Sequence, residues 1–398
     1  MAFAGRLREQ VKPGDILGRL GGDEFVVAMP GCDAAGADAV VARIAQALTA
    51  PLKLATRQVS MSASIGISIY PDNATEFDTL LRQADTAMYQ AKRAGRATRR
   101  FYSDDMNGAA QERVIYTTAL RDAIAREALE LHYQPQIRSS DGTIFGVEAL
   151  ARWNDAVLGA VSPAKFIPLA EECGLIEQIA LWSIRAACRQ MAAWRKAGLD
   201  IPTVSVNLSP INFQNPDLAS IVADILAEFE LPPEVLTIEV TEGVLQNEEA
   251  VALGSMQTLR ALGVGLALDD FGTGYSSLSR LVQLPIRELK IDRSFMQQLE
   301  TDSNARAVVT AIIRVGQALE LTVVAEGVET EGQQMLLSQL GCAVVQGFLH
   351  APALPPSAFA RWLIEHSTTR AVSLMRRIRK LAGQRPLASR TDLLRLSS

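Results

Sequence analysis

Val264-Gly265-Leu266-Ala267-Leu268-Asp269-Asp270-Phe271-Gly272-Thr273-Gly274 is a short apolar run that ends on two adjacent acids and then on glycines. Side chains along a strand alternate between faces, so Asp269 and Asp270 can both face one opening only where the strand is ending. Phe271 to Gly274 supplies that ending. The pattern recurs along the chain: Ile144 to Val147 precedes Glu148, Val204 to Val206 precedes Asn207, and Leu236 to Ile238 precedes Glu239, with Lys290, Glu326 and Gln346 following in the same rhythm. Each run is expected to give way to a helical stretch. Strand-plus-helix units repeated in this way predict a closed α/β barrel whose strand ends converge on one mouth.

Carboxylates gathered around one opening repel one another unless a cation lies between them. Hard oxygen donors select Mg²⁺ or Mn²⁺. Zinc fits less well, because none of His132, His350 and His366 falls at a matching strand end. Each residue alone also has a plainer reading. A single strand-end acid is commonly solvated or paired with a lysine, Asn207 suits the turn before Pro210, and Lys290 suits a pair with Asp292. A barrel lysine also admits Schiff-base chemistry, against which the surrounding carboxylates argue, since they keep the ammonium charged.

Glu148-Ala149-Leu150-Ala151-Arg152-Trp153, Val206-Asn207-Leu208-Ser209, Ile238-Glu239-Val240-Thr241-Glu242, Asp269-Asp270-Phe271-Gly272-Thr273-Gly274, Leu289-Lys290-Ile291-Asp292, Ala325-Glu326-Gly327-Val328-Glu329 and Gln346-Gly347-Phe348 together resemble the signature set of the EAL family of cyclic di-GMP phosphodiesterases. The resemblance covers residues 113 to 366. It implies a modified TIM-type (β/α)8 barrel with an antiparallel first strand, Leu129 to Ile137, and hydrolysis of cyclic di-GMP to linear pGpG with two divalent cations, Mg²⁺ or Mn²⁺. Glu148, Asn207, Glu239 and Asp269 are implied to hold one cation, and Asp269, Asp270 and Glu326 the second. Lys290 is implied to orient or activate the attacking water, Gln346 to position it, and Glu242 to anchor the loop from Asp270 to Ser277. Arg152, Leu150 and Gln134 are the implied substrate contacts. Dimerisation through the region after the Asp269-Asp270 loop is implied as well. The alternative within the family is a catalytically inactive cyclic di-GMP receptor, which typically lacks ligands that this chain retains.

Gly21-Gly22-Asp23-Glu24-Phe25 lies between the strand-like Asp15 to Leu20 and Phe25 to Met29, so it reads as a hairpin turn that uses glycine backbone freedom. It resembles the GGDEF family of diguanylate cyclases, with further similarity at Ser62 to Ser68 and Ala84 to Arg96. The match to residues 1 to 102 covers only the later part of that α/β domain. The upstream metal-binding acid and the base pocket are expected to precede Met1, so no GTP condensation is expected. Lys12-Pro13-Gly14-Asp15 stands where the family often has an Arg-x-x-Asp product site, and lysine lacks the planar fork of arginine. A sheet without its neighbouring strands is expected to leave an exposed edge or face. Residues 103 to 128 read as a linker with a helix from Ala109 to Glu127.

A content of 48% hydrophobic and 21% charged residues allows sizeable cores in two or three domains. The formal net charge is −5; the tail from residue 367 to 398 has eight basic residues against Asp392, hence +7, which leaves −5 − 7 = −12 on the remainder. Ala371, Leu374, Met375, Ile378, Leu381 and Ala382 recur there at helical spacing, so the tail reads as a basic amphipathic helix for an anionic membrane surface, an acidic partner or its own acidic body. Cys32, Cys173, Cys188 and Cys342 show no C-x-x-C spacing and read as buried thiols of a reducing compartment. With no signal peptide and no long apolar span, a cytoplasmic location is expected, although a longer native chain is compatible with an upstream sensory or membrane segment.

Overall fold

Val204–Leu208, Leu236–Thr241 and Gly265–Phe271 are buried on almost every side chain, as strands covered by helices on one face and by a barrel interior on the other must be. The computed structural model describes residues 2–50, 52–54, 57–59, 61–93, 97–245, 250–272 and 278–368. The chain divides between Thr118 and Ala119 into two units, and the helix Asp105–Ala125 contains the point of division.

In the second unit eight strands close a barrel: β1 (Leu129–Arg138), β2 (Ile144–Asp155), β3 (Val204–Leu208), β4 (Leu236–Thr241), β5 (Gly265–Phe271), β6 (Glu288–Ile291), β7 (Thr322–Ala325) and β8 (Val344–Gln346). Strands β2 to β8 run parallel, and β1 lies antiparallel between β8 and β2. Helices such as Ile176–Lys196, Leu218–Glu228, Ala250–Leu262 and Ser303–Ala318 follow the strands. Their Met191, Val222, Met256 and Ile313 join Val206, Ile238, Leu266 and Leu289 of the strands in one core. Burial of such large aliphatic side chains contributes roughly 2 kcal/mol each, so the barrel holds its polar interior on a rigid apolar frame.

Glu148 does not end its strand, contrary to the expectation of a helix after every marker. β2 runs on to Asp155 because β1 accompanies it, pairing Leu129 to Tyr133 with Ala149 to Trp153, and Gly159–Val161 then pairs with its far end. Only Val147, Glu148 and Ala149 sit beside β3. Glu148 is therefore placed at the mouth by the departure of β2 from the barrel.

One buried acid escaped the sequence reading. Glu288 opens β6 and shares a face with Lys290; it is 7% exposed and accepts from the Thr237 hydroxyl at 3.5 Å. Burial pushes it up from 4.5 to about 7, against the pull of Lys290, Thr237 and Arg287. A carboxyl raised on folding favours the protonated form, so its stabilising state is fully present below the unfolded value and is lost as pH rises towards 7. Glu288→Gln is expected to match the parent at pH 4.5 and to be more stable at pH 8 by up to roughly 3 kcal/mol. Denaturant unfolding at both pH values checks this; an equal difference at the two would contradict it.

The first unit carries the expected hairpin: Ile16–Gly21 pairs with Glu24–Ala28 around Gly22 and Asp23. Gly22 takes φ +51°, the region that favours glycine, and Arg19 donates to its carbonyl. Asp23 and Glu24 are exposed, and Ile16 and Leu20 are 64% and 57% exposed. Cys188 and Cys342 are buried, whereas Cys32 and Cys173 are only partly so, a correction to the reading of four buried thiols. No described helix is long and apolar enough to cross a membrane. The basic tail beyond residue 368 and residues 273–277 of the loop after the Asp pair lie outside the described residues.

Candidate active site and metal centre

Parallel register carries the marker residues to one mouth. Asn207 stands opposite Glu239, and Thr241 opposite Asp269. Asp270 is the point at which alternation breaks: it takes φ +56°, and the β5–β6 register shifts between Leu268 and Phe271. The strand thus bulges at Asp270 and runs on to Phe271, so that it ends at the Phe271-Gly272 step, within the segment expected to supply the ending. Aspartate tolerates the left-handed region better than most residues, and the bulge brings consecutive acids to the same opening.

Lys290 is fully buried at the centre. Its Nζ lies 2.5 Å from Glu239 Oε2, 2.6 Å from Glu326 Oε1, and 3.4 Å from both Glu148 Oε2 and Asp269 Oδ1. This settles the alternative pairing with Asp292, which instead caps the following turn by accepting from Ser294 N. Asn207 is likewise not a turn residue: its Nδ2 donates to Glu148 Oε1 at 2.6 Å, while Ser209 and Asn212 cap the turn after it.

Four carboxylates share one ammonium, and their proton affinities record it. Burial lowers the Lys290 ammonium, but Asp269, Glu148, Glu239 and Glu326 overrule it and hold it well above its ordinary value. Burial raises Glu239 strongly, Glu148 adding to the effect, and pushes Glu326 up to about 8 and Asp270 up to about 6. Glu148 alone is held below its ordinary value: burial opposes this, and Lys290, Gln346 and Asn207 together outweigh it.

The acids form two adjacent trios, Glu148 with Glu239 and Asp269, and Asp269 with Asp270 and Glu326, each with one oxygen per residue within 4.8 Å of the others. Asp269 belongs to both. Glu239 Oε1 is buried and accepts no hydrogen bond from the described residues. An all-oxygen donor set, an excess of buried negative charge and an unoccupied lone pair fit hard divalent cations.

Gln346 closes the other side. Its Nε2 donates to Glu148 Oε2 at 2.5 Å and to Gln134 Oε1 at 3.2 Å, and its Oε1 accepts from Gln136 Nε2 at 3.0 Å. Gln136, fully buried, was missed; its spacing of two from Gln134 along β1 is the only signal that could have found it. Leu150 and Arg152 follow Glu148 on the same face of β2, both partly exposed, and burial pulls the Arg152 guanidinium below its ordinary value against the attraction of Glu148. Glu242 stands apart, at the start of the turn Glu242–Leu245, where its Oε2 accepts from Gly272 N at 3.3 Å.

Comparison with known proteins agrees with this geometry. Residues 117–353 match the family model for the EAL domain, and residues 1–98 match that for the diguanylate cyclase GGDEF domain. The bifunctional diguanylate cyclase/cyclic di-GMP phosphodiesterase MucR of Pseudomonas aeruginosa is 42% identical over 352 residues, 88% of this chain and 51% of that protein. The oxygen sensor protein DosP of Escherichia coli is 40% identical over 358 residues, 90% of this chain and 45% of DosP. The chain thus spans about half the length of the curated relatives it matches. A solved structure of the PaMucR phosphodiesterase in complex with c-di-GMP superimposes with a TM-score of 0.59 at 44% identity, covering 61% of this chain and 99% of that one. Since the matched segment takes in more than half of the residues and includes every acid gathered at the barrel mouth, the chain belongs to the EAL domain family.

Proposed function

We propose that the barrel hydrolyses one phosphodiester bond of cyclic di-GMP to give linear pGpG, using two divalent cations, Mg²⁺ or Mn²⁺. The observation that carries this reading is the pair of carboxylate trios sharing Asp269 around a buried Lys290. Glu148, Asn207, Glu239 and Asp269 are the residues to hold one cation, and Asp269, Asp270 and Glu326 the other. Bound there, such cations supply an acidified water nucleophile and offset the charge that develops on the phosphate.

The chain's own groups do the rest. Lys290, kept as an ammonium by its neighbours, serves as a donor to the attacking water or the phosphate oxygen; it is no Schiff-base amine. Gln346 fixes the Glu148 carboxylate. Arg152, Leu150 and Gln134 lie where β1 and β2 pass the mouth and are assigned to the substrate, with the Arg152 guanidinium on the second phosphate. Water adds to phosphorus, the bond to the ribose 3′ oxygen breaks, and that oxygen leaves protonated. A homodimer formed through the region after the Asp pair, and a cytoplasmic location, belong to the same reading. No cyclase activity is assigned to the first unit.

Chromatography of purified protein with cyclic di-GMP and Mg²⁺, Mn²⁺ or chelator tests the proposal. Metal-dependent pGpG supports it; tight binding of cyclic di-GMP without product makes the barrel a receptor. Glu242→Ala is expected to release Gly272 and with it the Asp pair just before it, lowering turnover roughly 10- to 100-fold and raising the Mn²⁺ concentration needed for half-maximal rate. Full activity with an unchanged metal requirement would remove Glu242 from this role.

A further inference from the structure

Two glycines at the barrel mouth have no room for a side chain. A β-carbon on Gly347 would stand 2.1 Å from the carbonyl oxygen and 2.3 Å from the nitrogen of Val328. One on Gly327, whose φ is +69°, would stand 2.4 Å from Arg293 Cβ and 3.1 Å from Arg293 Cα. Backbone hydrogen bonds close the same gaps: Val328 N donates to Gln346 O at 3.0 Å, Leu349 N to Val328 O at 3.0 Å, and Glu326 N to Ile291 O at 3.1 Å. The buried Gln333 ties the assembly from below, its Oε1 accepting from Glu329 N and Thr330 N while its Nε2 donates to Met296 O at 2.9 Å.

The segments after β6, β7 and β8 are therefore one interlocked platform, and each adjoins or carries a polar group of the site. Lys290 precedes the first, Glu326 opens the second and Gln346 leads into the third. We infer that Gly327 and Gly347 are positioning residues that set Glu326 against Lys290 and Gln346 against Glu148. Ordinary contacts to a β-carbon begin near 3.4 Å, so alanine at either position forces the backbones apart by about 1 Å, a displacement that costs about 100-fold in a preorganised site. Backbone atoms of Val328 line the contact at Gly347 and the Cβ of Arg293, fixed to its backbone, lines that at Gly327, so a rotamer change absorbs neither clash.

The turnover arm of the test rests on the phosphodiesterase reading; the metal arm does not. Gly327→Ala and Gly347→Ala are compared with the parent in Mn²⁺ affinity, turnover of cyclic di-GMP and melting temperature. Turnover is expected to fall about 100-fold in both, with KM changed less than about threefold. Mn²⁺ affinity is expected to weaken about tenfold in Gly327→Ala, because Glu326 is a proposed ligand.

Adding Arg293→Gly to Gly327→Ala removes the Cβ that the new methyl meets and leaves the left-handed strain in place. Recovery of most of the lost Mn²⁺ affinity in that double variant supports the inference. Parent-like affinity and turnover in the alanine variants would overturn it, as would a double variant no better than Gly327→Ala. If Gly347→Ala does not fold, the Gly327 comparison decides alone. A parent protein inert towards cyclic di-GMP removes the hydrolysis reading, and the Mn²⁺ titrations still decide the positioning.

Discussion

Glu239→Gln is expected to abolish hydrolysis while leaving the metal-free protein at least as stable as the parent. Glu239 is fully buried, its Oε2 accepts from Lys290 at 2.5 Å and its Oε1 has no donor among the described residues. As a proposed metal ligand, that carboxylate is expected to contribute at least about 4 kcal/mol of transition-state stabilisation, a factor of about 10³ in rate. Without metal the same charge is a burden, because Glu148, Asp269 and Glu326 crowd it and one ammonium serves them all. A glutamine carbonyl can still accept from Lys290, and burying an amide costs far less than burying an excess charge. Melting curves in chelator beside a turnover assay check both halves. A variant that keeps its activity refutes the ligand assignment, and one that loses stability in chelator refutes the charge argument.

Lys290→Met carries the opposite sign for stability. It too is expected to be inactive, but in chelator it should lose roughly 3 to 5 kcal/mol, the cost typical of removing one partner from a buried charge cluster. The carboxylates of Glu148, Glu239, Asp269 and Glu326 then face one another without a counter-ion. Mn²⁺ should restore much of that loss, so the rise in melting temperature on adding Mn²⁺ is expected to be larger than in the parent. An equal rise in the two proteins would mean that Lys290 and the cations do not neutralise the same acids.

Much of the barrel and nearly all of its mouth were legible in the sequence because strands buried on both faces read as unbroken apolar runs. Glu148, Asn207, Glu239, Asp269, Lys290, Glu326 and Gln346 follow or close such runs, and closure of the barrel brings them together. What could not be read depends on tertiary geometry. The extension of β2 past Glu148 arises from the antiparallel β1 beside it, and an alternating strand reads the same in either direction. The left-handed Asp270 and the bulge beside it have no sequence mark that separates them from the glycines that follow. Gln136 and Glu288 are polar residues within strands, ordinarily solvent-facing, and only closure of the barrel turns them inward. The roles of Gly327 and Gly347 are hidden for a similar reason: their motifs name the residues, whereas the missing space belongs to Arg293 and Val328 on other segments.

The most direct test is an anomalous diffraction map of crystals grown with Mn²⁺. Two peaks are predicted, one contacting Glu148, Glu239 and Asp269 and the other contacting Asp269, Asp270 and Glu326, with Asp269 common to both. No peak at the barrel mouth, or peaks that leave Asp269 untouched, would contradict the two-cation centre and the hydrolysis built on it.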